Sequence, residues 1–331
     1  EGDRLRAIAN IGREDILIDG LMPLTKGVRV LGGSSDHLLM DVSDAEPPVA
    51  VGDRISFRMS YGAMLAAMTS EYVDKAPMHD VESSAPGRKM VQIVADAGAA
   101  PVLAKQGAGA RLDALGSDVV APGDSDRLPS GLMRFSAGAD RRVALSALSA
   151  SVKATHSLGL IWIDSRAMLF VPETPPLEIA EDAVLAQILG LVHKPGPLQP
   201  QLSPENVVLV GLREASPAEA KILNDSRITV FTMTEVDSMG MREVMRETLK
   251  IASNGTRGFH VSYSPTATEM PGWADGSGGM TVRETHLAME AIASNGSMIS
   301  INVSGLSAAL EPRVATESVS FVMSAFGKRI L

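Results

Sequence analysis

The stretch from Phe259 to Glu284, FHVSYSPTATEMPGWADGSGGMTVRE, gathers hydroxyls and carboxylates on a single loop. Phe259-His260-Val261-Ser262-Tyr263 reads as a short buried strand, and Gly278-Gly279-Met280-Thr281-Val282-Arg283-Glu284 opens a helix. Ser264, Thr266, Glu269 and Asp275 lie on the loop that joins them. In an α/β protein, ligands bind at loops that leave the carboxyl ends of strands. A neutral hydroxyl is a poor substitute for a carboxylate on a hard divalent cation, whereas the carboxylates could be regrouped as ligands. Against that, Glu269 and Asp275, like Glu181 and Asp182, have no ligand spacing, and solvated loop carboxylates are the usual case. His79 beside Asp80 and Glu82 suggests a metal site, but its polar, proline-bracketed surroundings read as a solvated linker. Gly276-Ser277-Gly278-Gly279 precedes a helix without the context of a phosphate loop, and GxSxG and HExxH are absent.

The elements that must carry these residues fall into two groups. Up to residue 76, short apolar runs alternate with turn residues. Ile16-Leu17-Ile18 precedes Asp19-Gly20, Val28 to Leu31 precedes Gly32-Gly33, and His37 to Val42 and Arg54 to Met59 follow. These predict a small all-β domain over 1–76, closed by a short helix from Met64 to Tyr72, and 77–87 reads as a linker. From 88 to 331, strands and helices alternate. Strands are predicted at Met90–Ala95, Asp118–Val120, Leu158–Asp164, Asn206–Arg213, Ile228–Phe231, Phe259–Tyr263 and Met298–Val303. Helices are predicted at Gly107–Leu115, Gly138–Thr155, Val184–Leu191, Pro217–Leu223 with Ser216 as N-cap, Gly240–Ala252, Val282–Ala293 and Val314–Phe326. This alternation predicts an α/β fold, a three-layer αβα sandwich with a mainly parallel sheet.

The chain has 331 residues, which suggests two domains or one large domain with an appendage, and 45% of them are hydrophobic, enough for a sizeable core. A net charge of −9 with no basic stripe argues against a nucleic-acid partner. The absence of cysteine excludes disulfides, thiolate metal sites and a cysteine nucleophile, and suits the cytoplasm. No apolar run approaches the roughly 20 residues that span a bilayer. The first residue is Glu1, which suggests a region upstream.

The larger domain resembles the ureohydrolase family, arginase and agmatinase among them. There the strand and loop read roughly HVSFDxDxxDP and PGGLTxRE, and Gly211-Leu212-Arg213 and Glu235-Val236-Asp237 match in order. The resemblance implies a site in which two Mn²⁺ held by carboxylates and histidines carry a bridging hydroxide to the guanidinium carbon. At the matching positions stand Asp140-Arg141, then Asp164, Arg166 and Met168, then Ser264 and Thr266. Glu181 replaces a histidine of the substrate loop, and Asn302 matches the glutamate that holds the guanidinium. Read this way, the pocket keeps one ligand, Asp164, and two arginines add positive charge where cations would bind. Arg141 and Arg166 are therefore expected either to pair with Asp164 in an internal salt-bridge cluster or to bind a small anion or carboxylate. The expectation is a non-hydrolytic protein that needs no cofactor and no manganese. The alternatives are a repurposed pocket for a basic amino acid, or a residual arginase- or agmatinase-type amidinohydrolase.

The N-terminal run Ser34 to Val42, with Val51-Gly52-Asp53, resembles the C-terminal β-domain of alanine racemases, in the ornithine-racemase-like branch. That implies Arg13, Ser35, Asp36 and Tyr61 at the rim of a racemase site, with pyridoxal phosphate and its barrel supplied by another region or subunit. The bland reading makes Ser35 and Asp36 turn residues, Arg13 a surface residue and Tyr61 a core residue. Together the resemblances imply a structural or regulatory part of a larger racemase-like polypeptide in ornithine or arginine metabolism. A homo-oligomer is expected, with a racemase barrel or a small basic amino acid as partner.

Overall fold

The computed structural model describes residues 4–51, 53, 55–70, 73, 89–120, 132–155, 157–172, 178–192 and 202–328. The chain divides into two units, Glu1–Pro77 and Met78–Leu331. The predicted linker 77–87, with His79, Asp80 and Glu82, lies outside the described residues.

The first unit holds β1 (Arg6–Ala9), β2 (Leu21–Pro23), β3 (Arg29–Gly33), β4 (Leu38–Asp41), β5 (Phe57–Met59) and α1 (Tyr61–Thr69). β4 lies between β1 and β3, antiparallel to both, and β2 pairs antiparallel with β5. Ile16, Ile18, Leu21, Leu38 and Met40 form its core, and α1 adds only Ala63 and Ala67. The helix starts earlier than predicted because Ser60 Oγ accepts the Ala63 amide at 3.3 Å and caps it.

The second unit runs β6 (Lys89–Ala95), α2 (Ala100–Lys105), α3 (Ala108–Ala114), β7 (Ser117–Val120), β8 (Leu132–Ala137), α4 (Val143–Thr155) and β9 (Gly159–Ile163). It continues through α5 (Val184–Ile188), β10 (Val207–Leu212), α6 (Pro217–Asp225), β11 (Thr229–Thr232), α7 (Met233–Met239), α8 (Met241–Ala252) and β12 (Phe259–Tyr263). The short pair β13 (Thr268–Glu269) and β14 (Met280–Thr281), then α9 (Val282–Asn295), β15 (Met298–Val303) and α10 (Pro312–Ala325) complete it. Eight strands form one sheet in the order β11-β10-β9-β12-β15-β8-β6-β7, and every pairing is parallel.

Alternation along the strands builds the layers. Ile161, Ile163, Val261, Tyr263, Ile301 and Val303 face one core with Val244, Met289 and Phe321 from α8, α9 and α10. Leu160, Trp162, Val207 and Leu209 face the other with Leu148 of α4 and Val184, Leu185 and Ile188 of α5. Each such side chain, fully buried, contributes about 1.5–3 kcal/mol. Gly159 is needed where β9 passes α8: a Cβ there would stand 2.0 Å from the Ala252 carbonyl oxygen.

The αβα sandwich with a parallel sheet is the predicted one. β8, α2 and α7 are additions. β8 is broken as an apolar run by Arg134 and Ser136, and Arg134 Nε is satisfied inside by Gln92 Oε1 at 3.0 Å. The predicted Gly138–Thr155 helix starts later, at Val143, which leaves Asp140 and Arg141 on a turn.

Candidate functional site

β9 and β12 are neighbours at the centre of the sheet, and both end at the same level, with Ile163 opposite Tyr263. The next residues, Asp164 and Ser264, therefore emerge side by side. Pro265 starts a short 3₁₀ turn that lifts Thr266 over them. The turn before α4 brings Arg141 to the same place. Asp96, after β6, anchors that turn: one carboxylate oxygen accepts the Ala139 amide at 2.8 Å and the other the amides of Gly98 and Ala99. Asp96 plays no part in the sequence reading, since a lone loop aspartate carries no signal there.

Arg141 is the hub. Its Nε donates to Asp164 Oδ2 at 2.5 Å and its Nη2 to Asp164 Oδ1 at 3.0 Å, a bidentate pair. Nη2 also reaches Ser264 Oγ at 3.1 Å and Thr266 Oγ1 at 3.0 Å, while Nη1 donates to Glu181 Oε1 at 2.8 Å. Thr266 Oγ1 donates to Asp164 Oδ1 at 2.9 Å and accepts from Ser165 Oγ at 3.0 Å. Asp164 is 2% exposed as a side chain, Arg141 14% and Glu181 44%, so the cluster is most exposed on the Glu181 side. Burial pulls the Arg141 guanidinium toward neutrality, but its bonds to Asp164 and Glu181 outweigh that and raise it above its ordinary value.

The other expected members part company with this cluster. Asp140 turns away and binds Arg142, whose guanidinium holds its carboxyl below the usual range. Arg166 sends only its backbone amide to Asp164, at 3.3 Å; its guanidinium pairs with Glu214 at 2.9 Å in the open, both side chains 61% exposed. The expected three-membered cluster with Asp164 is therefore a pair. The β-bridge between Arg166 and Glu214 draws Arg166 outward. Met168 is buried and holds φ at 54°, left-handed for a non-glycine residue. Its carbonyl accepts the amides of Leu185 and Ala186, which fixes that conformation. Asn302 lies one layer deeper, opposite Ser262, with its Oδ1 2.7 Å from His260 Nε2 and its Nδ2 without a partner among the described residues.

In the first unit, Arg13 Nε donates to the Gly33 carbonyl at 2.9 Å and its backbone amide to Ser34, beside Ser35 and Asp36. Ser35 Oγ donates to Asp36 Oδ2 at 3.1 Å, and all three residues are exposed. Tyr61 is 75% exposed, which corrects its reading as a core residue: it is the first residue of α1, on the side away from Ala63 and Ala67.

The fold, a parallel eight-stranded sheet between helices with a polar cluster at its strand ends, is that of a known protein family. A model of the arginase family matches residues 79–326, and the chain belongs to the arginase family. It is 33% identical over 205 residues to the arginase of Bacillus caldovelox, covering 59% of this chain and 68% of that one. The crystal structure of arginase from Bacillus cereus superimposes with a TM-score of 0.65 at 27% identity, covering 73% of this chain and all of that one. A 75-residue stretch is 52% identical to the ornithine racemase of Acetoanaerobium sticklandii, 23% of this chain and 21% of that enzyme.

These findings correct two expectations. Relatives named arginase, matched over about two thirds of their length, favour an arginase-type amidinohydrolase over a non-hydrolytic protein. They also overturn the expectation that manganese plays no part, because the family is manganese-dependent. A divalent pair needs several free carboxylate and imidazole donors. Around Asp164 stand the hydroxyls of Ser165, Ser264 and Thr266, with Glu181 on the far side of the guanidinium that already takes both Asp164 oxygens. As arranged, these side chains do not fit a metal pair. No described helix is long and apolar enough to cross a membrane.

Proposed function

We propose that the chain is an arginase-type amidinohydrolase whose pocket takes the guanidinium group of a basic amino acid or its amine. One observation carries the reading: a guanidinium, that of Arg141, sits in the strand-end pocket with carboxylate or hydroxyl oxygens on Nε, Nη1 and Nη2. The reaction adds water across a carbon–nitrogen bond of the guanidinium, releasing urea and leaving an amine. In this reading Asp164 and Glu181 supply counter-charge, and Ser264 and Thr266 orient the plane of the group. Arg141, Arg166, Met168, Ser264 and Thr266 are replaced ligand positions, which sets this pocket apart from the family pattern. The test is urea release from L-arginine and from agmatine, with manganese supplied in excess and without it. Urea above the blank, lost in Asp164→Asn, is expected; no urea from either compound by folded protein overturns the proposal.

The N-terminal unit is inferred to be racemase-like, with Arg13, Ser35 and Asp36 at its rim, and the ornithine racemase match supports this. The matched stretch is about a fifth of that enzyme, so racemisation would need a barrel and pyridoxal phosphate from elsewhere. Self-association belongs to the same proposal and is read by sedimentation.

A further inference from the structure

We propose that Arg141 is a displaceable internal occupant: the cradle of Asp164, Glu181, Ser264 and Thr266 is a guanidinium site that the chain fills itself, and a guanidinium ligand enters by taking its place. The inference rests on the functional reading above in assigning the ligand class, and adds to it the gate.

The cradle is built for a planar fork and not for a point charge. One edge of the guanidinium, Nε and Nη2, meets both oxygens of a single carboxylate. Nη2 is shared further with two hydroxyls, and Nη1 meets a second carboxylate. An ammonium has no such edge and cannot satisfy both Asp164 oxygens in one plane. The hydroxyl protons are consistent with this orientation. Ser264 and Thr266 stand 2.9 Å apart, the Thr266 hydroxyl donates its hydrogen bond to Asp164, and both oxygens face the guanidinium as acceptors.

The occupant also has a way out. Arg141 sits on a turn and not inside α4, and its neighbour Asp140 is held by Arg142, outside the cradle. Nη1 and Glu181 form the exposed rim, while Asp164 forms the floor. Rotation of the Arg141 side chain toward Glu181 would clear Asp164 while one ion pair is kept. The vacated cradle would hold two carboxylates with no cation, and so would draw in a cationic ligand.

The experiment is calorimetric titration of the full chain with methylguanidine, with methylammonium as the control cation. Arg141→Ala is expected to bind methylguanidine saturably, at least about tenfold tighter than the wild type, which must first expel its own arginine. Methylammonium should bind the variant at least about tenfold more weakly than methylguanidine does. Adding Asp164→Asn to Arg141→Ala should abolish the binding. Arg141→Gln, which keeps most of the stem and removes the charge, serves if the alanine variant does not fold. A folded variant that binds methylguanidine no better than the wild type, or equally well once Asp164→Asn is added, overturns the inference. The readout is binding, so absence of urea release would sink the hydrolytic reading and leave this one standing.

Discussion

His260 Nε2 lies 2.7 Å from Asn302 Oδ1, and the same ring's Nδ1 lies 2.7 Å from Ser300 Oγ, so one fully buried imidazole joins two residues of β15. The line extends through Ser300 to Ser151 Oγ of α4, at 2.7 Å. Burial pushes the His260 pKa down to about 4, against a hydrogen bond to Asn302 that opposes the shift. The ring is therefore neutral in the folded protein wherever the unfolded chain's histidine, near 6.5, begins to take up a proton.

That difference sets a pH dependence. Between the unfolded value and about 4 the unfolded chain binds more protons, so stability falls as pH drops through this window. The loss is complete below about 4 and amounts to about 3 kcal/mol at most. Urea midpoints of wild type and His260→Gln at pH 7.5 and 4.5 check it. The wild type should lose more stability than the variant, and parallel losses would contradict the assignment.

The pairing of Arg141 with Asp164 predicts unequal costs for two mutations that look alike in sequence. Asp164→Ala leaves a mostly buried guanidinium without its main partner and should cost about 3–5 kcal/mol. Arg166→Ala removes an exposed pair and should change stability by no more than about 1 kcal/mol. Equal denaturation midpoints for the two variants would refute the distinction.

Gly159→Ala tests the packing that sets the level of β9 under the pocket. The added methyl would stand 2.0 Å from a backbone oxygen, which cannot turn aside as a side chain can. A loss of about 1–3 kcal/mol or more in thermal unfolding is expected.

Glu219 has two duties. It closes the capping box of α6 by accepting the Ser216 amide at 2.8 Å, and its other oxygen accepts the Leu169 amide at 2.9 Å. Ser216→Ala should cost about 1 kcal/mol. Glu219→Ala should cost more, about 2 kcal/mol, since the buried end of Leu169 also loses a partner. Hydrogen exchange at the Leu169 amide distinguishes the two, rising only in the second variant.

Part of the central sheet was legible because its strands are nearly continuous apolar runs: Gly159–Ile163 and Val207–Leu212 are buried throughout. β8 was not, because Arg134 and Ser136 interrupt its pattern, and Arg134 Nε is met by Gln92 of the neighbouring β6. The Ser216 cap was legible from local spacing alone. At the site, the approach of Arg141 to Asp164 followed from aligned motifs. The departure of Arg166 did not, because a bridge to Glu214, remote in sequence, decides where its side chain goes. Asp96 and the left-handed Met168 gave no sign, since each owes its conformation to amides elsewhere in the fold.

Arg141 and Ser264 touch across 123 residues of chain, and they can do so only after β9 and β12 lie side by side. Closing so long a loop comes before its reward, so the cradle belongs to the late stages of folding. A chain still emerging from the ribosome carries Arg141 long before Ser264 exists to meet it.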